Sequence, residues 1–223
     1  WGLSRQTQQH SLMMLFITLA LIVSVVFCDT SASVKETAPK PKPKSPFLMP
    51  LRWFERKNIY LPERKMEENS EKFIEENHVE EVYFAAKDGK QLHALYSPQL
   101  DEAGNVAKVE DYETIYAVLY FHGSNLNNSF MLPEVERWRN KRRSGLDKKI
   151  VFFMPSYRGF GKSEGKPKER LILEDAQLCL EEFKKLLEEK GIKKYKMIVF
   201  GWSLGGAVAI DLASKKGNHE KID

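Results

Sequence analysis

Cysteine is nearly missing from this chain: there are two in 223 residues, Cys28 and Cys179. Two thiols cannot build a disulfide framework, and neither belongs to a zinc-ligand spacing. Cys28 closes an apolar run, while Cys179 falls on the apolar face of a predicted helix and is expected to be a small core residue. A charge block of one sign is also lacking. The 35 Lys and Arg are interspersed with 31 Asp and Glu, leaving a net +4. That pattern is a mixed solvated surface, and with no RNA-binding signature it gives no reason to expect a nucleic-acid partner. Nor is there a phosphate loop. Gly161-Lys162-Ser163 would need a glycine five residues upstream, where Ser156 stands. No metal or cofactor is expected. Disorder throughout is excluded as well, because 42% hydrophobic and 11% aromatic residues suffice for a packed core.

Residues Leu12 to Cys28 (LMMLFITLALIVSVVFC) are almost wholly apolar. As a helix they would reach about 25 Å, close to the ~30 Å hydrocarbon core of a bilayer. A signal anchor is the expectation, making the protein single-pass in a membrane. A cleaved signal, giving a secreted or periplasmic product, and a buried helix are the alternatives. Phe27-Cys28-Asp29 is a poor cleavage site and Ser31-Ala32-Ser33 a tolerable one, while Phe27 also disfavours a lipoprotein-type Cys28. Arg5 precedes the run and Lys35, Lys40, Lys42 and Lys44 follow it, so the charges do not fix an orientation. Residues 29–79 read as linker and lead-in. Lys40 to Pro46 (KPKPKSP) favours an extended spacer within it. The folded domain is expected over residues 80–223. The first residue is Trp1 rather than Met, so a preceding segment is expected.

Glu81–Phe84 and Leu92–Tyr96 are β-rich stretches around Asp88-Gly89, a hairpin signal. Ile115–Phe121, Lys149–Pro155 and Met197–Phe200 are continuous apolar runs, as expected of strands buried on both faces. A helix is predicted around Pro133 to Trp138. A second, over Leu171–Lys190, carries Ile172, Ala176, Leu180, Phe183 and Leu187 on one stripe and stops at Gly191. A third runs from Leu204 to Lys216. This alternation implies an α/β protein with a doubly wound, mainly parallel sheet, preceded by the N-terminal apolar helix. Active sites in such sheets lie at the carboxyl ends of the strands.

Three motifs sit at those ends. Gly201-Trp202-Ser203-Leu204-Gly205-Gly206 follows a strand and opens a helix, the context of a nucleophile elbow. The turn is expected to be too tight for side chains at Gly201 and Gly205, with Gly206 and Ala207 letting the helix lie close on the sheet. Ser203 would be held in a strained conformation with its hydroxyl outward, and the Leu204 N–H, at a helix N-terminus, would face an oxyanion. The second motif is Tyr120-Phe121-His122-Gly123-Ser124-Asn125. The loop after this strand gives the second oxyanion donor, and Ser124 is the candidate. His122 is expected to hold the loop by hydrogen bonds rather than to act as the base. Asn127-Asn128-Ser129 matches a glycosylation sequon, but a glycan there would obstruct the site. The third motif, Ser156-Tyr157-Arg158-Gly159-Phe160-Gly161-Lys162-Ser163-Glu164-Gly165, reads as a structural loop.

In that order the three motifs resemble the α/β-hydrolase superfamily, nearest to membrane-anchored alpha/beta hydrolase domain-containing serine hydrolases and prolyl-aminopeptidase-like relatives. The resemblance covers residues 82–223. Ser124 and Ser156 stand where the family usually has Asn and Asp. The resemblance implies hydrolysis of ester, thioester or amide bonds, often of lipid-like acyl substrates, through an acyl-serine intermediate. The fold's chain order is nucleophile, acid, histidine. After Ser203 only Asp211, His219, Glu220 and Asp223 remain, each placed too far from the elbow. The chain is therefore expected to be truncated at its C-terminus and inactive alone, with the strand ending at Phe200 left as an apolar edge. The alternatives are an inert binding module, or an acyltransferase or peptidase on the same fold.

Overall fold

The computed structural model describes residues 59–101, 103–108, 115–140, 149–218 and 222. The apolar run of residues 12–28 and most of the linker lie outside them. Among the described residues no helix is long and apolar enough to cross a membrane.

Five strands form one sheet: β1 (Glu80–Ala85), β2 (Gln91–Ser97), β3 (Ile115–Phe121), β4 (Lys149–Pro155) and β5 (Tyr195–Gly201), in the order β1-β2-β4-β3-β5. β3 pairs parallel with both β4 and β5. β2 is antiparallel to both β1 and β4, so it alone runs against the other four. The reason is the short connection. Asp88-Gly89 closes a tight turn, with Gly89 at φ +77 and its N–H donating to Ala86 O at 2.9 Å, and so short a link can only reverse the chain.

Alternation along β3 divides the core in two. Ile115, Ala117, Leu119 and Phe121 face one side, with Ile172, Ala176, Leu180, Phe183 and Leu187 of α3 (Glu169–Glu189) and Val208 and Leu212 of α4 (Leu204–Ser214). Val118 and Tyr120 face the other side, with Met131, Leu132 and Val135 around the start of α2 (Leu132–Asn140). The sheet is thus covered on both faces, and all five residues of the predicted α3 stripe are buried, as is Cys179.

The lead-in contains structure that its sequence does not announce. Ser70–Glu76 forms a short helix, α1, and Phe73, Ile74 and Val79 around it pack on the α2 side. At the other end of the sheet, β5 is only partly covered over Ile198–Gly201, in keeping with the expected apolar edge.

Two crossovers position the site. The chain passes from β3 to β4 on one side, then returns through α3 to β5 on the other. The carboxyl ends of β3 and β5 flank this switch point, where ligands bind in open α/β sheets.

Candidate active site

β5 hands over to α4 across two residues, Trp202 and Ser203. The Trp202 N–H donates to Phe121 O at 3.1 Å, prolonging the β3–β5 pairing. Ser203 then turns the chain at φ 54, ψ −115, a positive φ that costs a non-glycine residue about 1–3 kcal/mol. Gly205 N–H to Trp202 O and Gly206 N–H to Ser203 O, both 2.9 Å, close the turn. The glycines make this backbone possible. A Cβ on Gly201 would stand 2.0 Å from Gly205 O, and one on Gly205 would stand 2.1 Å from Phe121 O. One expectation is corrected here. Gly206 is not a close-packing position, because a Cβ there would meet Gly201 O at 3.6 Å, and Ala207 is exposed. The tight approach to the sheet is made at Gly205, one turn-residue earlier, because it lies directly over the end of β3. Ser203 itself is exposed, beside a Trp202 that is 63% exposed. Leu204 opens α4, and its N–H has no acceptor within the helix.

The loop after β3 lies against this elbow. A Cβ on Gly123 would meet Trp202 Cδ1 at 3.3 Å and Ser203 Cβ at 3.8 Å. His122 is fully buried and both ring nitrogens are occupied. Tyr157 N–H donates to Nε2 at 3.3 Å, so Nδ1 carries the proton and donates to Gly123 O at 2.7 Å. Burial depresses the imidazole to about 4, against the opposing bond to Gly123 O, so the ring is neutral at pH 7. It has no free lone pair to take a proton from Ser203, and its work is to hold the loop. Tyr157 completes the clasp by donating its hydroxyl to His122 O at 2.9 Å.

Ser124 is partly buried. The two peptide groups around it are each tied. The preceding one has its carbonyl, Gly123 O, on His122, which aims the Ser124 N–H the opposite way. The following one has its carbonyl, Ser124 O, on the Leu61 N–H at 3.2 Å. The structure thus brings Ser203, Leu204 and the 122–124 loop to one place.

The sequon residues are buried structural groups. Asn127 donates Nδ2 to Glu63 O (3.2 Å) and Lys65 O (2.8 Å), and its Oδ1 accepts from Ser129 N–H and Oγ. Asn128 Nδ2 bonds Met154 O and His93 Nδ1. His93 is buried as well, and desolvation lowers it to about 4 in spite of Glu81 nearby. The loop after β4 is structural too. Arg158 forms a two-pronged bond to Asp175 on α3, Nε to Oδ2 at 2.7 Å and a terminal N–H to Oδ1 at 2.8 Å. A further N–H reaches Asp88 in the hairpin turn at 2.9 Å.

Among the described residues the Ser203 hydroxyl has no histidine or carboxylate partner. Asp211 lies along α4, paired with Lys215 at 2.9 Å. His219, Glu220 and Asp223 lie outside the described residues. Among the described residues no group of His, Cys, Asp or Glu could hold a metal. Sequence reasoning missed Tyr157 and Leu61 as supports of the loop. Tyr157 lay inside a recognised motif and could have been weighed, whereas a backbone N–H in the lead-in leaves no signal.

No protein-family model matches the chain. Three relatives do. YfhR of Escherichia coli K12 is 30% identical over 143 residues, 64% of this chain and 44% of its own length. The bem46 protein of Schizosaccharomyces pombe is 38% identical over 113 residues, 51% of this chain and 34% of its own. The alpha/beta hydrolase domain-containing protein WAV2 of Arabidopsis thaliana is 31% identical over 143 residues, 64% and 40%. The chain spans less than half the length of each of these relatives. A solved α/β-hydrolase of Vibrio vulnificus superposes with a TM-score of 0.54 at 24% identity, over 82% of this chain and 59% of that one.

Proposed function

The chain belongs to the α/β-hydrolase superfamily, its sequence relatives including the bem46 and WAV2 proteins, and on that footing we propose that Ser203 is the nucleophile of a serine hydrolase. The bonds cleaved are carboxylic esters or thioesters, with amides as an extension. The acyl groups are lipid-like, a reading favoured by the exposed Trp202 indole next to Ser203. One observation carries the reading: an exposed serine held at φ 54 between a strand and a helix, with glycines on either side that admit no Cβ. Nothing about packing calls for that strain, whereas a projecting nucleophile does.

In the proposed reaction Ser203 Oγ attacks the acyl carbonyl as a base removes its proton. The carbonyl oxygen becomes an oxyanion, stabilised by the N–H groups of Ser124 and Leu204. Collapse expels the alcohol or thiol with a proton and leaves an acyl-Ser203 ester. Water then attacks that ester and releases the acid. The base and its supporting acid are residues other than the described ones. Residues 12–28 are proposed to hold the protein in a membrane, next to its acyl substrates, and no nucleic acid takes part.

A fluorophosphonate probe applied to the complete gene product tests the reading. Covalent labelling at Ser203 that disappears in Ser203→Ala is the expected result. A folded protein that stays unlabelled would sink it and leave an inert binding module in its place.

A further inference from the structure

The lead-in segment crosses the carboxyl end of the sheet and is sewn to the loop that follows β3. Four contacts make the seam. The Leu61 N–H donates to Ser124 O at 3.2 Å. Asn127 Nδ2 donates to Glu63 O and Lys65 O. The Glu67 N–H donates to Ser129 Oγ at 2.8 Å. Glu63 O is shared, since it also accepts from the Gly161 N–H at 2.8 Å and so brings in the loop after β4. The seam is closely fitted: a Cβ on Gly161 would meet Asn127 Cβ at 3.3 Å and Ser156 Oγ at 3.1 Å.

The outer end of this strap is the informative one. Asn127 and Ser129 are completely buried, so their bonds would be made in any well-packed structure. Leu61 is different. Its side chain is 49% exposed, and folding alone asks little of it. Its N–H nevertheless holds the carbonyl of the peptide on the far side of Ser124, while His122 holds the one on the near side. The Ser124 N–H belongs to the Gly123–Ser124 peptide, which turns as one plane about the Cα atoms of Gly123 and Ser124. His122 sets the direction of that plane through Gly123 O, and the Leu61 bond to the next peptide anchors its pivot at the Ser124 Cα.

We propose that Leu61 is a positioning residue: its backbone N–H, delivered by the 61–67 strap, anchors the Ser124 Cα from the following peptide, so that the second oxyanion donor, whose plane His122 directs, is pre-aimed. This rests on Ser124 being that donor. The gain is confined to the transition state, because a donor aimed at the oxyanion does little for the ground-state carbonyl. Removing a donor outright typically costs about 10²–10³ in kcat. Releasing one that can still find its direction part of the time should cost less, roughly tenfold.

Two variants of the complete gene product separate the backbone from the side chain. Leu61→Pro deletes the N–H and Leu61→Ala keeps it. Hydrolysis of a p-nitrophenyl acyl ester gives kcat and KM for each, and fluorophosphonate labelling of Ser203 gives a second rate. The expected result is a kcat for L61P at least fivefold below that of L61A, with KM agreeing within about twofold, and labelling slowed in step. Equal kcat values in the two variants would overturn the strap. So would a loss in L61P that appears only in KM. Wild-type protein that is folded yet neither hydrolyses the ester nor takes the label would overturn the serine-hydrolase reading itself, and the strap with it. Thermal melts of both variants show that the comparison is made on folded protein.

Discussion

Replacing Gly205 by alanine should damage this fold far more than the same change at Gly206, its immediate neighbour. Both glycines are in the first turn of α4, so helix propensity alone treats them alike and favours alanine by about 0.5–1 kcal/mol at each. Contact distances separate them. The added carbon at Gly205 would lie 2.1 Å from Phe121 O, 2.6 Å from Phe121 C and 2.9 Å from His122 O. Normal non-bonded separations begin at about 3.5 Å, and every atom in the way is backbone at the carboxyl end of β3. The helix must lift off the sheet by about 1 Å, or the elbow must rebuild. Ordinary overpacking costs about 1–3 kcal/mol, and a clash with backbone that cannot rotate away belongs at or beyond the top of that range. At Gly206 the nearest atom is Gly201 O at 3.6 Å, an ordinary contact.

Gly205→Ala is therefore expected to lose about 3 kcal/mol or more, roughly 6–12 °C in melting temperature for a domain of this size. Gly206→Ala should be neutral or stabilising by up to about 1 kcal/mol. Urea denaturation and thermal melts followed by circular dichroism measure both, and unchanged m-values show that the unfolded state is the same. The loss in Gly205→Ala should also reach the loop after β3, since Phe121 and His122 are the residues struck. Equal effects of the two substitutions, or a tolerated alanine at Gly205, would refute the close approach of α4 to β3.

Stability should depend on pH through His122 and His93. Both are held neutral at about 4 in the folded chain, against about 6.5 when unfolded. Below pH 6.5 the unfolded chain takes up protons that the folded one refuses, so stability is whole above pH 6.5 and falls as pH drops towards 4, by up to about 3 kcal/mol for each ring. Urea titrations between pH 7 and 5, above the carboxylate range, should show this slope, and a flat profile there would contradict neutral buried rings. Asp175→Asn should cost about 3 kcal/mol, because it strips a buried Arg158 of its two-pronged partner. Asp88→Asn, at a carboxylate 47% exposed, should move the melting temperature far less, and the same thermal scans compare them.

Much of the fold can be read from the sequence because its signals are local. The runs Ile115–Phe121 and Lys149–Pro155 are too uniformly apolar for one-sided strands, and the structure buries them from both sides. The stripe of α3 repeats within one helix. The elbow is more local still, since its glycines act on atoms four residues away or on the adjacent strand end. What the sequence hides is held together at long range. Arg158 gives no hint that it will meet Asp88, 70 residues earlier. The α1 helix is short and has only Phe73 and Ile74 to offer the sheet, so no period marks it. The reversed direction of β2 follows from its turn, yet its place beside β4 depends on where the later chain goes.

The division between local and distant constraints matters for the chemistry as well as for the fold. Aiming a serine takes a strained turn and two glycines, and a motif of six residues encodes all of it. Aiming the proposed oxyanion donor is harder, because the N–H of Ser124 turns with the Gly123–Ser124 peptide, and both the plane and its pivot must be held. The plane is held by a neighbour in sequence, His122, whose buried ring is itself set by Tyr157. The pivot is anchored through the next peptide by Leu61, 63 positions earlier, in a stretch that composition alone would assign to the connection between an apolar N-terminal run and the folded domain. If Ser203 and Ser124 act as proposed, changes in that connection reach the reacting centre without touching Ser203. The aim of the proposed second donor then depends on the lead-in as well as on the motif that contains it.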